Sequence, residues 1–305
     1  MGESGTSDKD IASLFNNLYG KMNGVFEDYG EGKPVSRSVV DVVSTTIINL
    51  VNTRKNRVLE FLLCGENHSE DYGQSAVNIC VLSVVVSLYL NLPEQKVRNI
   101  ACGALLHDSG MMKIPREIIE KKGSLTPDEV KIIQSHPYYS YKLIVTDLMY
   151  SEEVGQIAYQ HHERWDGSGY PKNKRDRAIE LGARIIAVVD AYEAMISRKN
   201  YRNSMIGYNA MKTLLEDNAR RFDPAVLKAF IQSVGIYPVG SIVLLSDTAI
   251  ARVIEGHYES PLRPKIRILV DSAGKTYPDK TGEVIDLLMN RSLFIIRAID
   301  PREIQ

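Results

Sequence analysis

Four of the six histidines in this 305-residue chain fall in three short motifs, His107-Asp108, His136-Pro137 and His161-His162-Glu163. Histidine is the commonest nitrogen ligand for transition metals, so histidines concentrated in this way point to a metal site. Asp190, an acid deep inside an otherwise apolar run, joins them. The candidate ligands are therefore His107, Asp108, His136, His161, His162 and Asp190. In an adjacent His-Asp pair the imidazole can take one ion while the carboxylate bridges two. The set offers nitrogen and oxygen and no thiolate, which favours iron, manganese or zinc with open positions over a closed structural zinc site. Two such ions about 3.5–4 Å apart suit in-line attack on phosphorus. The residues alone thus point to metal-assisted hydrolysis of a phosphate ester, with His107 and Asp108 at its centre.

A second stretch, Gly167-Ser168-Gly169-Tyr170-Pro171, follows the histidine pair directly and lies beside the single tryptophan, Trp165. Glycine permits positive φ and close approach of backbone to a ligand. Tyr170, fixed by Pro171, offers an aromatic face on which a nucleobase can stack, worth about 1–3 kcal/mol. Lys199 and Arg202, three residues apart, suit phosphates or a guanine edge. The Lys172–Arg177 run reads as a solvated loop, and His257 as surface.

Positioning these groups requires helices that end at one cavity. Residues 1 to about 10 read as disordered. Ile11 to Val25 is spaced for a short helix, and a break from Tyr29 to Pro34 follows. Ser36 is placed to cap a long helix through about Leu63, with Val39, Val43, Ile47, Leu50, Val51, Val58, Phe61 and Leu62 on one face. Those N-terminal helices serve packing or contact with a second copy. Gln74 to Leu90 is apolar all round and therefore central. Pro93 starts a helix that runs into His107, and Ile114-Pro115 opens a short one ending near Gly123. Thr126-Pro127-Asp128-Glu129 is a capping-box start, and the helix it opens should carry His136. Ser151-Glu152-Glu153 starts another that delivers His161 and His162. Leu181 to Ser197 is apolar with one interior acid, Asp190. Asp223-Pro224 starts the last helix, ending about Gly235. Beyond it, Ser241–Leu245, Ala249–Ile254, Ile266–Val270 and Leu293–Ile299 are β-branched runs separated by turn residues.

The composition, 44% hydrophobic and 25% charged, is that of an ordinary globular protein, and a net charge of −1 supplies no global field for DNA or a membrane surface. Cys64, Cys80 and Cys102 sit far apart among apolar residues, as buried free thiols of a reducing cytoplasm do. Met1–Asp10 is polar and small, unlike a secretory leader. The most apolar run, Val77–Leu90, is shorter than the ~20 residues that span a bilayer and reads as a core helix.

In order and spacing, His107-Asp108-x-Gly110, His136-Pro137, His161-His162-Glu163-x-x-Asp166-Gly167-x-Gly169-Tyr170-Pro171 and Val188-Val189-Asp190-Ala191-Tyr192 resemble the HD-GYP domain, a branch of the HD metal-dependent phosphohydrolases. The resemblance covers roughly residues 71–235. It implies an HD-type helical bundle over 71–235; the patterns outside the match add an N-terminal helical region over 1–70 and a small C-terminal β appendage over 236–305, so the chain reads as mainly α. The resemblance further implies a cytoplasmic bacterial signalling protein with two divalent ions, iron or manganese foremost and zinc an option, and in some members a third. Its substrate would be cyclic di-GMP, cleaved to pGpG or on to GMP. By motif, the six residues above look like metal ligands, and Gly169, Tyr170, Pro171, Lys199 and Arg202 like substrate contacts.

The chain departs from that pattern at named positions. Ser75 stands where the family has a further metal-binding histidine. Asp71, one turn earlier, is either a ligand to a third ion or a helix-start acid, and His68 lies two turns before Ser75. Met111 stands where a lysine is common, Lys199 replaces an arginine, and Asn200 a proline. Two readings follow: a cyclic di-GMP phosphodiesterase that tolerates Ser75, or a degenerate domain that binds the dinucleotide or docks other signalling proteins. The enzyme is the expectation, with a homodimer through the N-terminal helices as a further one.

Overall fold

The computed structural model describes residues 8–64, 71–197, 207–216, 220–278 and 281–300. Eleven α-helices are described there. They are α1 (Asp8–Gly30), α2 (Arg37–Cys64), α3 (Tyr72–Tyr89), α4 (Glu94–Leu106), α5 (Arg116–Ile119), α6 (Pro127–Ile133), α7 (His136–Lys142), α8 (Glu152–Tyr159), α9 (Leu181–Ile196), α10 (Gly207–Glu216) and α11 (Pro224–Val234). A 3-10 turn, Ser109–Lys113, follows α4, and a wide π turn, Leu143–Asp147, follows α7.

α3 is the helix around which the rest packs. Its sequence is apolar on every side, so no face seeks water. By length and composition it could cross a membrane, yet 78% of it is buried inside the fold. It packs against α1, α2, α4, α9 and α11. The helices share one hydrophobic cluster that runs from Ile11 to Val234 and includes α1 and α2. The stripe expected on α2 faces that core: Val43, Ile47, Val51, Val58 and Leu62 are buried, and Val39, Leu50 and Phe61 pack at its margin.

Several sequence expectations are corrected. α1 is longer than Ile11–Val25. α2 is kinked at Arg54, whose φ of −144° and ψ of 32° are not helical. α2 begins at Arg37, directly after Ser36, whose hydroxyl shares a 2.9 Å hydrogen bond with that of Ser38. The helix expected through Gly123 is only one turn, α5. The Thr126 capping box forms in full, with Glu129 N–H donating to Thr126 Oγ1 (3.3 Å) and Thr126 N–H to Glu129 (2.7 Å). Its helix stops at Ile133, however, and His136 opens a new one, α7. Pro137 is the reason. Its ring would clash with the Ile133 carbonyl and it has no N–H to donate, so it can begin a helix but not continue one.

Beyond α11 the chain forms an antiparallel sheet in the order β4-β3-β2-β1-β5, from β1 (Ile242–Leu245), β2 (Ile250–Glu255), β3 (Lys265–Val270), β4 (Val284–Asp286) and β5 (Ile295–Ile299). Val243 faces Ala251 and Val253 faces Ile266 across the ladder. With Leu245 and Ile268 these residues build a separate apolar cluster. β4 and α10 were not anticipated.

Candidate metal centre

The centre forms where the ends of three helices meet. α4 runs out at Leu106 and leaves His107 and Asp108 on the following turn. α7 begins with His136. The turn after α8 carries His161 and His162. One ligand atom from each of Asp108, His136, His161 and His162 lies within 4.8 Å of the others. His136 Nε2 and His161 Nε2 stand 3.2 and 3.4 Å from Asp108 Oδ1, and His107 Nε2 is 3.3 Å from Asp108 Oδ2.

The orientation of the rings is fixed from behind. His107 Nδ1–H donates to the Ala104 carbonyl (2.8 Å), His136 to Ile133 (2.8 Å) and His161 to Ala158 (2.6 Å). A carbonyl can only accept, so in each neutral ring Nδ1 holds the proton and Nε2 presents a lone pair. Those lone pairs converge: His136 Nε2 and His161 Nε2 are 3.3 Å apart, beside the Asp108 oxygens. His107, 1% exposed, has its Nε2 without a hydrogen-bond partner. Lone pairs and carboxylate oxygens packed this closely repel one another unless a cation lies among them. Donors sharing one ion at about 2.0–2.2 Å would stand at about these separations. The residues therefore fit a divalent metal, and the carbonyl behind each ring is the usual outer support of a metal-binding histidine.

Without an ion, protons on the imidazoles take its place beside Asp108. Burial opposes a charge on His107, but Asp108 and, further off, Asp190 outweigh it and push its pKa up to about 9. Burial likewise opposes ionisation of Asp108, yet His107 and the hydrogen bonds from the surrounding imidazoles hold it well below the usual carboxylate range. Burial keeps His161 and His162 below the ordinary histidine range.

Ser140 and Gly110 lock the segments together. Ser140, on α7, is fully buried. Its hydroxyl donates to the His107 carbonyl (2.6 Å) and accepts from Gly110 N–H (2.8 Å). A Cβ at Gly110 would collide with the His136 carbonyl oxygen, so only glycine lets the His107-Asp108 turn approach α7.

Asp190, half-buried on α9, lies outside the tight group but within electrostatic reach of His107 and Tyr170. Asp71 caps α3: it accepts from Gly73 N–H (2.9 Å) and from the Asn23 amide, which is the helix-start role. Tyr170 lies against His162, with ring centroids 4.8 Å apart and planes 33° from parallel, and the Tyr170–Pro171 peptide is cis. Gly167 has φ +78°. Gly169 is needed for packing, because a Cβ there would strike the backbone of His162 and Arg164. Lys199, Arg202, His68 and Asn200 lie outside the described residues. His257 donates to, or is ion-paired with, Asp286 at 2.8 Å in the sheet.

Two acids were missed. Glu163, 2% exposed, accepts from Lys172 N–H (2.7 Å) and Lys174 N–H (3.0 Å) and so pins the loop that carries Tyr170. Glu193 corrects the expectation of a single interior acid in the Leu181–Ser197 helix. It is 4% exposed and accepts from Ser75 Oγ (3.1 Å), Asn78 Nδ2 (3.4 Å) and Ser197 Oγ (2.6 Å). Glu193 could have been found by the cue that found Asp190, an acid inside an apolar run, whereas Glu163, between His162 and Arg164, carries no such cue.

Comparison with known proteins adds the family. Residues 57–226 match the HD domain model. The chain belongs to the HD domain family. Within it, the relatives and a structural neighbour are of the HD-GYP type. Residues 242–305 match the KOW domain associated with HD domain, which accounts for the sheet. The chain is 31% identical over 255 residues to cyclic di-GMP phosphodiesterase PA4108 of Pseudomonas aeruginosa, covering 82% of this chain and 60% of that protein. It is 30% identical over 230 residues to cyclic di-GMP phosphodiesterase PdeB of Borreliella burgdorferi, covering 75% and 60%. The chain thus spans about 60% of the length of these relatives. Among solved structures, Bd1817, an HDG"Y"P protein from Bdellovibrio bacteriovorus, shares the fold with a TM-score of 0.61 at 19% identity, over 75% of this chain and 73% of that one.

Proposed function

We propose that this chain is a cytoplasmic, metal-dependent phosphodiesterase that hydrolyses cyclic di-GMP to pGpG, GMP or both. The observation that carries the reading is the convergence of carbonyl-locked imidazole lone pairs on the Asp108 carboxylate. The similarity to named cyclic di-GMP phosphodiesterases supports the substrate. His136, His161, His162 and Asp108 would hold one ion, and His107, Asp108 and Asp190 a second, iron or manganese by the mixed nitrogen and oxygen donors. The ions would supply Lewis acidity toward the phosphate and its attacking water. Asp108 offers one oxygen to each set of nitrogens, the geometry a bridging carboxylate needs. The Ala104, Ile133 and Ala158 carbonyls keep the rings in the tautomer that leaves Nε2 free. Glu163 fixes the loop on which Tyr170 offers its ring beside His162, and Lys199 and Arg202 are the proposed contacts for phosphate or guanine.

A second reading, a receptor for cyclic di-GMP without turnover, is favoured by Ser75, whose hydroxyl goes to Glu193, and by Met111, which brings no charge to the turn after Asp108. The two readings part on an anaerobic preparation supplied with iron or manganese. The enzyme binds about two ions per chain and releases pGpG or GMP. Tight dinucleotide binding with no product, converted to turnover by Ser75→His, would establish the receptor instead.

A further inference from the structure

α1 lies outside residues 57–226, which carry the family match, yet one of its faces runs toward the metal centre. Tyr19, Asn23, Phe26 and Gly30 recur at the spacing of a single helical face. The Tyr19 hydroxyl donates to Asn78 Oδ1 of α3 (3.2 Å). Asn23 accepts from Gly73 N–H (2.9 Å) and donates to Asp71, both at the start of α3. Phe26 stands edge-on to Tyr72, with ring centroids 6.4 Å apart. Gly30 lies against Met112, whose Cβ would be 3.5 Å from a Cβ added there. That last contact is with the Ser109–Lys113 turn, which follows Asp108 directly.

Tyr29, buried beside Gly30, touches two of the segments that bring donors to the centre. Its hydroxyl donates to the Tyr139 carbonyl (3.0 Å) on α7, the helix that His136 opens. Its own carbonyl accepts from the Lys113 ammonium, at the far end of the turn that follows Asp108. The same ammonium sits over the Tyr29 ring, 4.4 Å from the centroid. Helix chemistry favours this contact. The last carbonyls of a helix lack intrahelical partners and form the negative end of its dipole, and α1 has no basic residue in its last turn. Lys113 supplies that charge from the turn, and a cation over an aromatic face adds to it. Ser140 joins the same two segments from the core side, so the turn and α7 are tied together at two places.

We infer that Tyr29 and Lys113 are positioning residues of the metal centre: the end of α1 clamps the turn after Asp108 against the helix that carries His136, and so holds these two donors at the spacing an ion needs. α1 is then a working part of the centre, and a movement of its last turn is felt there as a change in metal affinity. Neither residue touches the ion. This rests on the metal centre proposed above, and the test separates the two.

The whole chain is stripped with chelator and titrated with Mn2+, with stoichiometry read by elemental analysis and affinity by calorimetry. Far-ultraviolet circular dichroism and the melting temperature of each variant report folding. Tyr29→Phe combined with Lys113→Met removes the hydroxyl and the ammonium but keeps the bulk of both side chains. It should bind Mn2+ about tenfold more weakly or worse, the effect of two lost hydrogen bonds. Lys113→Arg in place of Lys113→Met keeps a cation for the Tyr29 carbonyl and should recover part of that loss. Tyr19→Phe is the control: it removes a hydrogen bond from the same helix to α3, away from the turn, and should lower the melting temperature without changing metal affinity. A folded double variant that binds Mn2+ within about twofold of wild type overturns the inference and leaves the metal centre standing. Equal weakening in Tyr19→Phe assigns the effect to α1 packing in general and also overturns it. Should the double variant not fold, Tyr29→Phe alone, which loses one hydroxyl, decides the matter: affinity about threefold weaker or more supports the clamp, and a smaller change overturns it. If wild type takes no ion, the metal centre falls and the inference with it.

Discussion

Replacing Ser140 by alanine tests how the site is assembled. Ser140 is fully buried, and its hydroxyl joins α7 to the His107-Asp108 turn through the His107 carbonyl and the Gly110 N–H. Alanine fills almost the same space, so no cavity term arises. What is lost is a partner for two buried backbone groups, each costing about 1–3 kcal/mol; about 3 kcal/mol for the pair lies in the lower part of the roughly 2–6 kcal/mol that two such groups span. For a domain of this size about 1 kcal/mol moves the melting temperature by roughly 2–4 °C, so a fall of roughly 6–12 °C is expected. Because His136 rides on α7 while Asp108 rides on the turn, metal affinity should weaken with it, by about tenfold or more. Ser135→Ala is the control: its hydroxyl bonds the Ile132 carbonyl at the surface, and its loss should cost at most about 0.5 kcal/mol. Thermal denaturation and metal titration on the two variants decide the matter. If Ser140→Ala melts within 2 °C or so of wild type, or binds metal as tightly, the hydroxyl does not couple the two segments.

Other substitutions separate the loop from the metal. Tyr170→Ala removes the ring beside His162 and should weaken dinucleotide binding by about 1–3 kcal/mol, with metal content unchanged by elemental analysis; equal affinity would refute the stacking role. Glu163→Ala frees Lys172 and Lys174 N–H and should raise protease sensitivity in the 164–177 loop and weaken the dinucleotide, again sparing the metal. Burial raises the pKa of the Cys80 and Cys102 thiols, so neither should react with a thiol reagent at pH 8 until denaturant is added, and rapid labelling of either in the native protein would contradict the packing around α3.

What could be read from the residues was what is encoded locally or by repetition. The capping box at Thr126 and the apolar stripe of α2 depend on neighbours three to seven positions away, and both appear as expected. That His107, Asp108, His136, His161 and His162 come together was legible because each member lies in an unusual dipeptide. The break before His136 was also written in the sequence, in Pro137, but a strong start signal ten residues earlier masked it. α10 has an amphipathic pattern, with Ala210, Met211 and Leu214 buried, that was there to be read. β4 was not: three residues, one exposed and two half-buried, carry no period, and pairing with β3 alone makes them a strand. The roles of Ser140, Gly110, Glu163 and Glu193 depend on partners 9 to 118 positions away, which only the packed chain brings together. Asp71 shows the opposite case, in which a local role, the cap of α3, could be read from the sequence and is formed.

The central claim is that Asp108 and the imidazoles around it hold the ions that carry out cleavage. The most direct measurement is metal content and cyclic di-GMP turnover on one preparation, wild type beside Asp108→Ala. Wild type should contain about two ions per chain and release pGpG or GMP, and Asp108→Ala should lose metal and turnover together. Turnover that persists in Asp108→Ala without bound metal would contradict the account.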